Sequence, residues 1–363
     1  MPVTAALWAA PVTCVAQHAA EVEAWIRKTA AESESFVPRG PVLVSWKSAG
    51  HAVAREEVEG WKREIENHPE HPRRMDIEVH ERRARDGPDV ATLRLLIEDA
   101  DRWRVVGDHP YLSEKYLDCG FEGRTLWHLT ADVLGLRSSR AGDPGSIAGE
   151  ELRKMLQNPR IFVSQGLYLI AALNDAKVVL DVTIAGADWT ASVAWPDGFT
   201  GRAEGSWAAA AGEGRVRLVE CAPGANQLPT IWARMIAWTR DEVLARPCAS
   251  VIELRLGESE STLTYLGSRP ISVEEVRAAA RPPDPLKGGN TDPVRGELAL
   301  KRLNDLRDGG TVLSVREGAA WSTKDFGVLG ADPVRWLQPI GWVVAASIVT
   351  MLIVLRVRAR SSV

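Results

Sequence analysis

Residues 118–139 read "DCGFEGRTLWHLTADVLGLRSS". After Cys119 and Phe121 comes a short turn, Glu122-Gly123-Arg124, and then Thr125, Trp127 and Leu129 alternate with Leu126, His128 and Thr130. Alternation with a period of two is the mark of a β-strand, whose successive side chains point to opposite faces. The stretch is therefore read as a strand or a pair of strands. Whether it is an ordinary half-buried strand or one wall of a ligand site has to come from its surroundings.

Upstream, the same period recurs. "GPVLVSWKS" (40–48) alternates Val42, Val44 and Trp46, and "MDIEVHERR" (75–83) alternates Met75, Ile77 and Val79 with Asp76, Glu78 and His80. "DGPD" (86–89) is a turn signal before "VATLRLLIED" (90–99), and "ADRWRVV" (100–106) sets Trp103 and Val105 on one face. Five or six strands at short spacing predict an antiparallel meander. Residues 20–34 read as an amphipathic helix with Val22, Trp25 and Ile26 on one side, and residues 52–66 fit helix or strand.

Downstream the pattern changes. Residues 147–175 read as one or two helices, and their apolar part, Ile161 to Leu173, is too short to span a bilayer. Strands resume at 177–186, 188–198 and 214–220, residues 228–245 look helical, and 250–267 form a hairpin in which Ile252, Leu254 and Leu256 face Leu263 and Tyr265. A Pro/Gly-rich linker (280–293), a short helix (295–307) and a strand (310–317) follow.

The two ends set the expected location. "WLQPIGWVVAASIVTMLIVL" (336–355) is 20 residues without a charge, bounded by Arg335 and Arg356. As a helix it would measure roughly 30 Å, the thickness of a bilayer's hydrocarbon core. Arg356, Arg358 and Arg360 follow it, and the positive-inside rule assigns such a tail to the cytoplasm. The expected organisation is a signal segment (1–19), an extracytoplasmic domain (20–325), a juxtamembrane linker (326–335), a transmembrane helix (336–355) and a short basic cytoplasmic tail (356–363). A single-pass protein of the cell membrane, with most of its chain in the periplasm, is the corresponding localisation.

Composition agrees with that setting. With Arg335 and the three tail arginines set aside, 40 basic residues face 48 acidic ones, which gives the domain no electrostatic reason to seek nucleic acid. Of the four cysteines, Cys14 lies in the signal segment, and Cys221 with Cys248 is a candidate disulfide closing a 28-residue loop. On the chain-entropy account such a bridge is worth roughly 3–4 kcal/mol. Buried free thiols fit the same spacing equally well.

"RWRVV" followed by "CGFEGRTLWHLTADVLGLRSS" resembles the LolA-like outer-membrane lipoprotein carriers and sorting proteins. Gly123, Arg124, Thr125, Leu126 and Trp127 match the family's "DGKTLWxY" strand, with Glu122 in place of Asp and His128 in place of the usual residue. The resemblance is carried by residues 20–140 and is only topological from 150 to 320. It implies an α+β fold in which a curved antiparallel sheet, an incomplete β-barrel, wraps over helices and encloses an apolar cavity for acyl chains. Relatives that regulate envelope-stress signalling bind lipid or lipoprotein signals instead of carrying them. The expected anchor departs from the soluble carriers and favours a tethered acceptor or sensor.

Trp46, Met75, Ile77, Val79, Leu93, Leu95, Trp103, Trp127 and Leu129 are the alternating apolar positions of the first meander and the candidate cavity lining. Acyl chains need only apolar area, at about 25 cal/mol per Å² buried, and no catalytic group. The same residues fit a solid core just as well. His68, Glu70 and His71 in "HPEHP" have no third ligand nearby, and no GxSxG, HExxH, CxxC or GxxxxGK[ST] motif occurs, so no metal, cofactor or catalytic residue is nominated. The expected function is a membrane-anchored binding protein for lipid or lipoprotein, with the bilayer as a further partner. The alternatives are an envelope signalling or structural component that binds another protein, and an anchored hydrolase.

Overall fold

The structure is a computed structural model. It describes residues 10–325 apart from 69, 72, 109–115, 131, 140–145, 175–176, 225–226, 258, 285, 287–290, 308–311 and 318–319. A long helix, α1 (Ala10–Glu34), leads into β1 (Val42–His51). Two charged helices follow, α2 (Arg55–Glu64) and α3 (Arg73–Asp86). The meander then continues through β2 (Asp89–Asp99), β3 (Arg102–Asp108), β4 (Tyr116–Glu122), β5 (Thr125–Leu129) and β6 (Val133–Ser138). A helical layer comes next, made of α4 (Ile147–Met155), α5 (Gln157–Val163) and a 3-10 segment (Leu167–Asn174). A second meander is built of β7 (Val179–Ala185), β8 (Asp188–Ala194), β9 (Thr200–Ala208), β10 (Glu213–Ala222), β11 (Ile231–Asp241), β12 (Arg246–Leu256) and β13 (Ser259–Pro270). The chain ends in an arm: α6 (Val273–Ala280), the short pair β14 (Thr291–Asp292) and β15 (Gly296–Glu297), then β16 (Arg302–Leu306), β17 (Val312–Glu317) and β18 (Ala320–Asp325).

One seam joins the two meanders. β1 pairs antiparallel with β13 from Val42 opposite Pro270 to His51 opposite Glu260, so all strands but β14 and β15 form one 16-stranded sheet. Its order is β18-β17-β16-β6-β5-β4-β3-β2-β1-β13-β12-β11-β10-β9-β8-β7. Every pairing is antiparallel except β6 with β16, where Arg302 lies opposite Val133 and Leu306 opposite Arg137. That mixed sheet replaces the expected curved antiparallel sheet wrapped over helices as an incomplete barrel. The reason is long-range: alternation marks each strand but not its partner, and the arm's return to β6 creates a parallel neighbour that no local pattern announces.

One face of the sheet is covered along both meanders, and the other is covered over the first meander, while the second meander leaves alternate residues of that face exposed. On one lies the main core, where Val22, Ile26 and Ala30 of α1 and Ile161, Phe162 and Val163 of α5 pack on inward residues of both meanders. On the other, the arm covers β3 to β6, burying Trp127, Leu129, Leu134 and Leu136 against Leu298, Leu300 and Leu303. α4 and α6 each start on a serine whose hydroxyl accepts a backbone N–H, Ser146 from Gly149 and Ser272 from Glu275, both at 3.0 Å. Such caps satisfy donors that the first turn leaves open, for about 1 kcal/mol each.

Several expectations are corrected. Residues 75–83 belong to the helix α3, not to a strand. Its Arg, Glu and Ala content favours helix, and Ile77 and His80, three apart, share the side that packs on Val58, Trp61 and Ile65. Residues 231–241 form the strand β11, in which buried Ile231, Ala233 and Met235 alternate with Trp232 and Arg234. The short helix expected at 295–307 is instead strand and loop, whose buried Leu298, Leu300 and Leu303 meet β6. Among the described residues no helix is long and apolar enough to cross a membrane, so the fold includes no demonstrated transmembrane helix. Residues 326–363, including 336–355 and Arg356, Arg358 and Arg360, lie outside the described residues, and residues 10–19 of the expected signal segment are the start of α1.

Candidate functional site

The interior between the sheet and the helical layer is rich in tryptophan. Trp25 of α1 stands edge-on to Trp189 of β8 at 6.0 Å and tilted to Trp207 of β9 at 6.1 Å. Trp46 of β1 and Trp103 of β3, the latter 6.3 Å from Phe121, are fully enclosed in the same core. An indole carries one N–H donor and no acceptor, so a buried indole normally finds a carbonyl. Trp189 does, donating to Ser206 O at 3.1 Å. Trp46, Trp103, Trp207 and Trp238 have buried Nε1 atoms with no acceptor among the described residues.

The helical layer is tied to the second meander by Gln165, whose carboxamide accepts from Val216 N at 2.9 Å and donates to Gly214 O at 3.4 Å. Gln165 has φ 53°, a left-handed conformation rare for a side chain of this kind, and it sits at the break between α5 and the 3-10 segment. Fixed hydrogen bonds at both ends of the carboxamide hold that break in place.

The opposite face holds a buried ionic cluster. Arg104 of β3 is fully buried and donates to Asp118 and Asp292, both at 2.8 Å, and to Ala279 O at 3.3 Å. Arg295 donates to both oxygens of Asp118, at 3.1 and 3.0 Å, to Gly107 O at 2.8 Å and to Asp108. The Arg104 guanidinium lies 4.9 Å over the Trp127 ring. The Trp127 indole in turn donates to Ala280 O at 2.7 Å. Gly120, opposite Trp127 on β4, makes this possible, since a Cβ there would lie 2.4 Å from the indole ring. Five charges and one indole thus fasten the arm to the first meander.

The opening stretch is therefore strand β4, turn, strand β5 and strand β6, buried on both sides instead of one. Leu126 faces the main core, and Trp127 and Leu129 face the arm. His128 lies 4.0 Å from the Cys119 sulfur. Burial pushes the thiol well up, and Glu151 and Asp118 push it the same way. Burial pushes the imidazole down, with Arg137 and Lys154 adding to the effect against Glu151. Both groups are then neutral, so the pair is not an activated thiolate.

The nine candidate lining residues do not share a wall. Trp46, Leu95 and Trp103 line the main core, with Leu93 partly buried beside them. Trp127 and Leu129 are on the other face. On α3, Ile77 joins a satellite cluster, Val79 is half-buried and Met75 is 60% exposed. Nor do Cys221 and Cys248 form a disulfide with each other; both are buried. Cys221 faces Ile231, which faces Leu256, eight residues along β12 from Cys248. That separation is on the order of 25 Å at the rise of a strand, far beyond a disulfide's reach. Burial, with Asp241 nearby, pushes the Cys248 thiol up to about 12.

No family model matches the chain, and no curated protein matches it. Among solved structures, it is similar to a DUF1329 family protein from Desulfovibrio piger. The likeness covers 70% of this chain and 95% of that one, at 7% identity and a TM-score of 0.29. It is too loose to bear on fold or function.

The residues that matter most on the two faces include Trp207, Trp238, Arg104, Asp292 and Gln165, none of which was singled out as a site residue from the sequence. Arg104 had no legible signal of burial. It sits between Trp103 and Val105 in "RWRVV", and such a residue is ordinarily a solvent-facing one. Only the covering arm makes it buried.

Proposed function

We propose that the tryptophan-lined interior between the sheet and its helical layer binds an amphiphile that carries acyl chains, a lipid or the lipid part of a lipoprotein. The observation that carries this reading is the set of unpartnered indole donors at Trp46, Trp103, Trp207 and Trp238. A buried donor without an acceptor costs about 1–3 kcal/mol, and native cores hold few of them. Ester or amide carbonyls of an acylated ligand supply the acceptors, and its chains replace apolar contacts made by the helices. Entry then requires α1 and α5 to lift from the sheet, with the Gln165 break as the place where the layer bends. The envelope location belongs to the same proposal and rests on sequence pattern alone.

The test is organic extraction of the purified full chain followed by mass spectrometry. Acyl species retained in stoichiometric amount support the proposal, and Trp103→Phe, which removes one donor, should lower their retention. A preparation free of such species that also fails to quench tryptophan fluorescence with spin-labelled fatty acid refutes it. Recovery of the full chain in the cytosolic fraction refutes the envelope location.

A further inference from the structure

Among the described residues the sheet has two outer strands, and they differ in how they are defended. β18, with side chains mostly exposed, ends in Lys324 and Asp325, the charged kind of edge that discourages strand addition. β7, "VLDVTIA", contains no proline or lysine, and its register with β8 runs from Val179 opposite Ala194 to Ala185 opposite Asp188 without a bulge. Val179 is 64% exposed, and Val182 and Ile184, whose side chains pack on the main core, are only partly buried. A regular apolar edge of this kind is a template for another strand.

The direction of its backbone groups follows from the β7–β8 turn. Gly186 and Ala187 form a two-residue connection with Gly186 at φ 68°, which makes Ala185 and Asp188 a hydrogen-bonded pair. Ala185, Thr183, Asp181 and Val179 then direct their N–H and C=O groups at β8. Leu180, Val182 and Ile184 direct theirs to the open side.

We propose that this edge pairs with the same edge of a second copy, antiparallel about Val182. In that register Val182 faces its own counterpart and Leu180 faces Ile184, so all outward-directed backbone groups are used and the apolar side chains continue the core face across the seam. On the other face Asp181 meets Thr183 and Val179 meets Ala185, with no like charges opposed. A slip one way sets Asp181 against Asp181, a slip the other way sets Thr183 against Thr183 and Leu180 against the Gly186 turn, and either slip loses strand hydrogen bonds. Full use of the outward backbone groups therefore selects the alignment about Val182, and charge adds to that choice against one of the two slips. This inference goes beyond the proposed lipid binding and does not depend on it.

The experiment is sedimentation of the purified full chain over a concentration series. A single strand pair is small for an interface, so a weak, concentration-dependent dimer is expected. Thr183→Lys places a cation opposite Asp181 and should tighten the dimer, whereas Thr183→Asp should weaken it, each by roughly two- to tenfold. Both effects should shrink as salt is raised. Val182→Pro, which removes an open-side N–H that β8 does not use, should abolish the dimer. If that variant does not fold, the two exposed Thr183 changes decide alone. A monomer throughout the series overturns the proposal, as does a dimer whose affinity the Thr183 variants leave unchanged or shift in the same direction. Capture of an extended peptide at β7 by a chain that does not self-associate overturns it too.

Discussion

Replacing Arg104 with methionine tests the claim that the arm is fastened by a buried ionic cluster. Arg104 makes two ion pairs at 2.8 Å and a hydrogen bond to Ala279 O, and neither it nor Asp118 nor Asp292 is exposed. Methionine fills much of the same volume, so the cost comes from charge left without a partner and not from a cavity. Asp118 keeps Arg295, but Asp292 keeps only the backbone N–H groups of Val294 and Arg295. Removing one partner of a buried pair costs about 3–5 kcal/mol, a large part of a typical domain's stability. Urea unfolding should show the midpoint falling by the corresponding amount with an unchanged slope. Hydrogen exchange should show residues 291–303 opening first. Adding Asp292→Asn to Arg104→Met should restore part of the loss, because it removes the uncompensated carboxylate. A single Arg104→Met variant within 1 kcal/mol of the parent, on the scale of an exposed pair, would refute the reasoning.

Two further outcomes follow from named contacts. Gly120→Ala places a Cβ 2.4 Å from the Trp127 indole and displaces its hydrogen bond to Ala280; overpacking of this kind costs about 1–3 kcal/mol, so the melting temperature should fall by several degrees, and an unchanged melt would remove Trp127 from its described place. His80 accepts from Val53 N at 3.2 Å, and burial, with Arg83 adding to it, pushes its imidazole down to about 4. Since the unfolded residue titrates near 6.5, its contribution is fully present above that pH and is lost as pH falls toward 4, by at most about 3 kcal/mol. Acid unfolding should show that loss, and His80→Gln should flatten it; an identical pH profile would show that His80 is not buried as described.

How much of this was legible depends on the range of the interaction. Hairpins were readable, because Ile252, Leu254 and Leu256 against Leu263 and Tyr265 announce both strands and the turn between them. The helix α3 was not, because Met75, Ile77 and Val79 satisfy a period of two over a stretch too short to separate it from a period of 3.6. The β1–β13 and β6–β16 pairings were not readable either, as each joins segments more than 150 residues apart. Of the candidate lining, Trp46, Leu95 and Trp103 came out on one face, while Trp127 and Leu129 were reassigned by Gly120, Ala280 and the arm. The unpartnered indoles have no signature in a sequence, since an acceptor is missing only once the whole core is assembled.

The seam between β1 and β13 also sets a timetable. Val42 finds Pro270 only after 228 further residues have been made. At a ribosome's pace of about 5–20 residues per second, that interval lasts roughly ten to fifty seconds. For that time a growing polypeptide presents Val42, Val44 and Trp46 beside an unclaimed row of amide groups, the kind of surface on which nascent chains stick to one another. An edge left open for that long is of the sort that chaperones shield during translation.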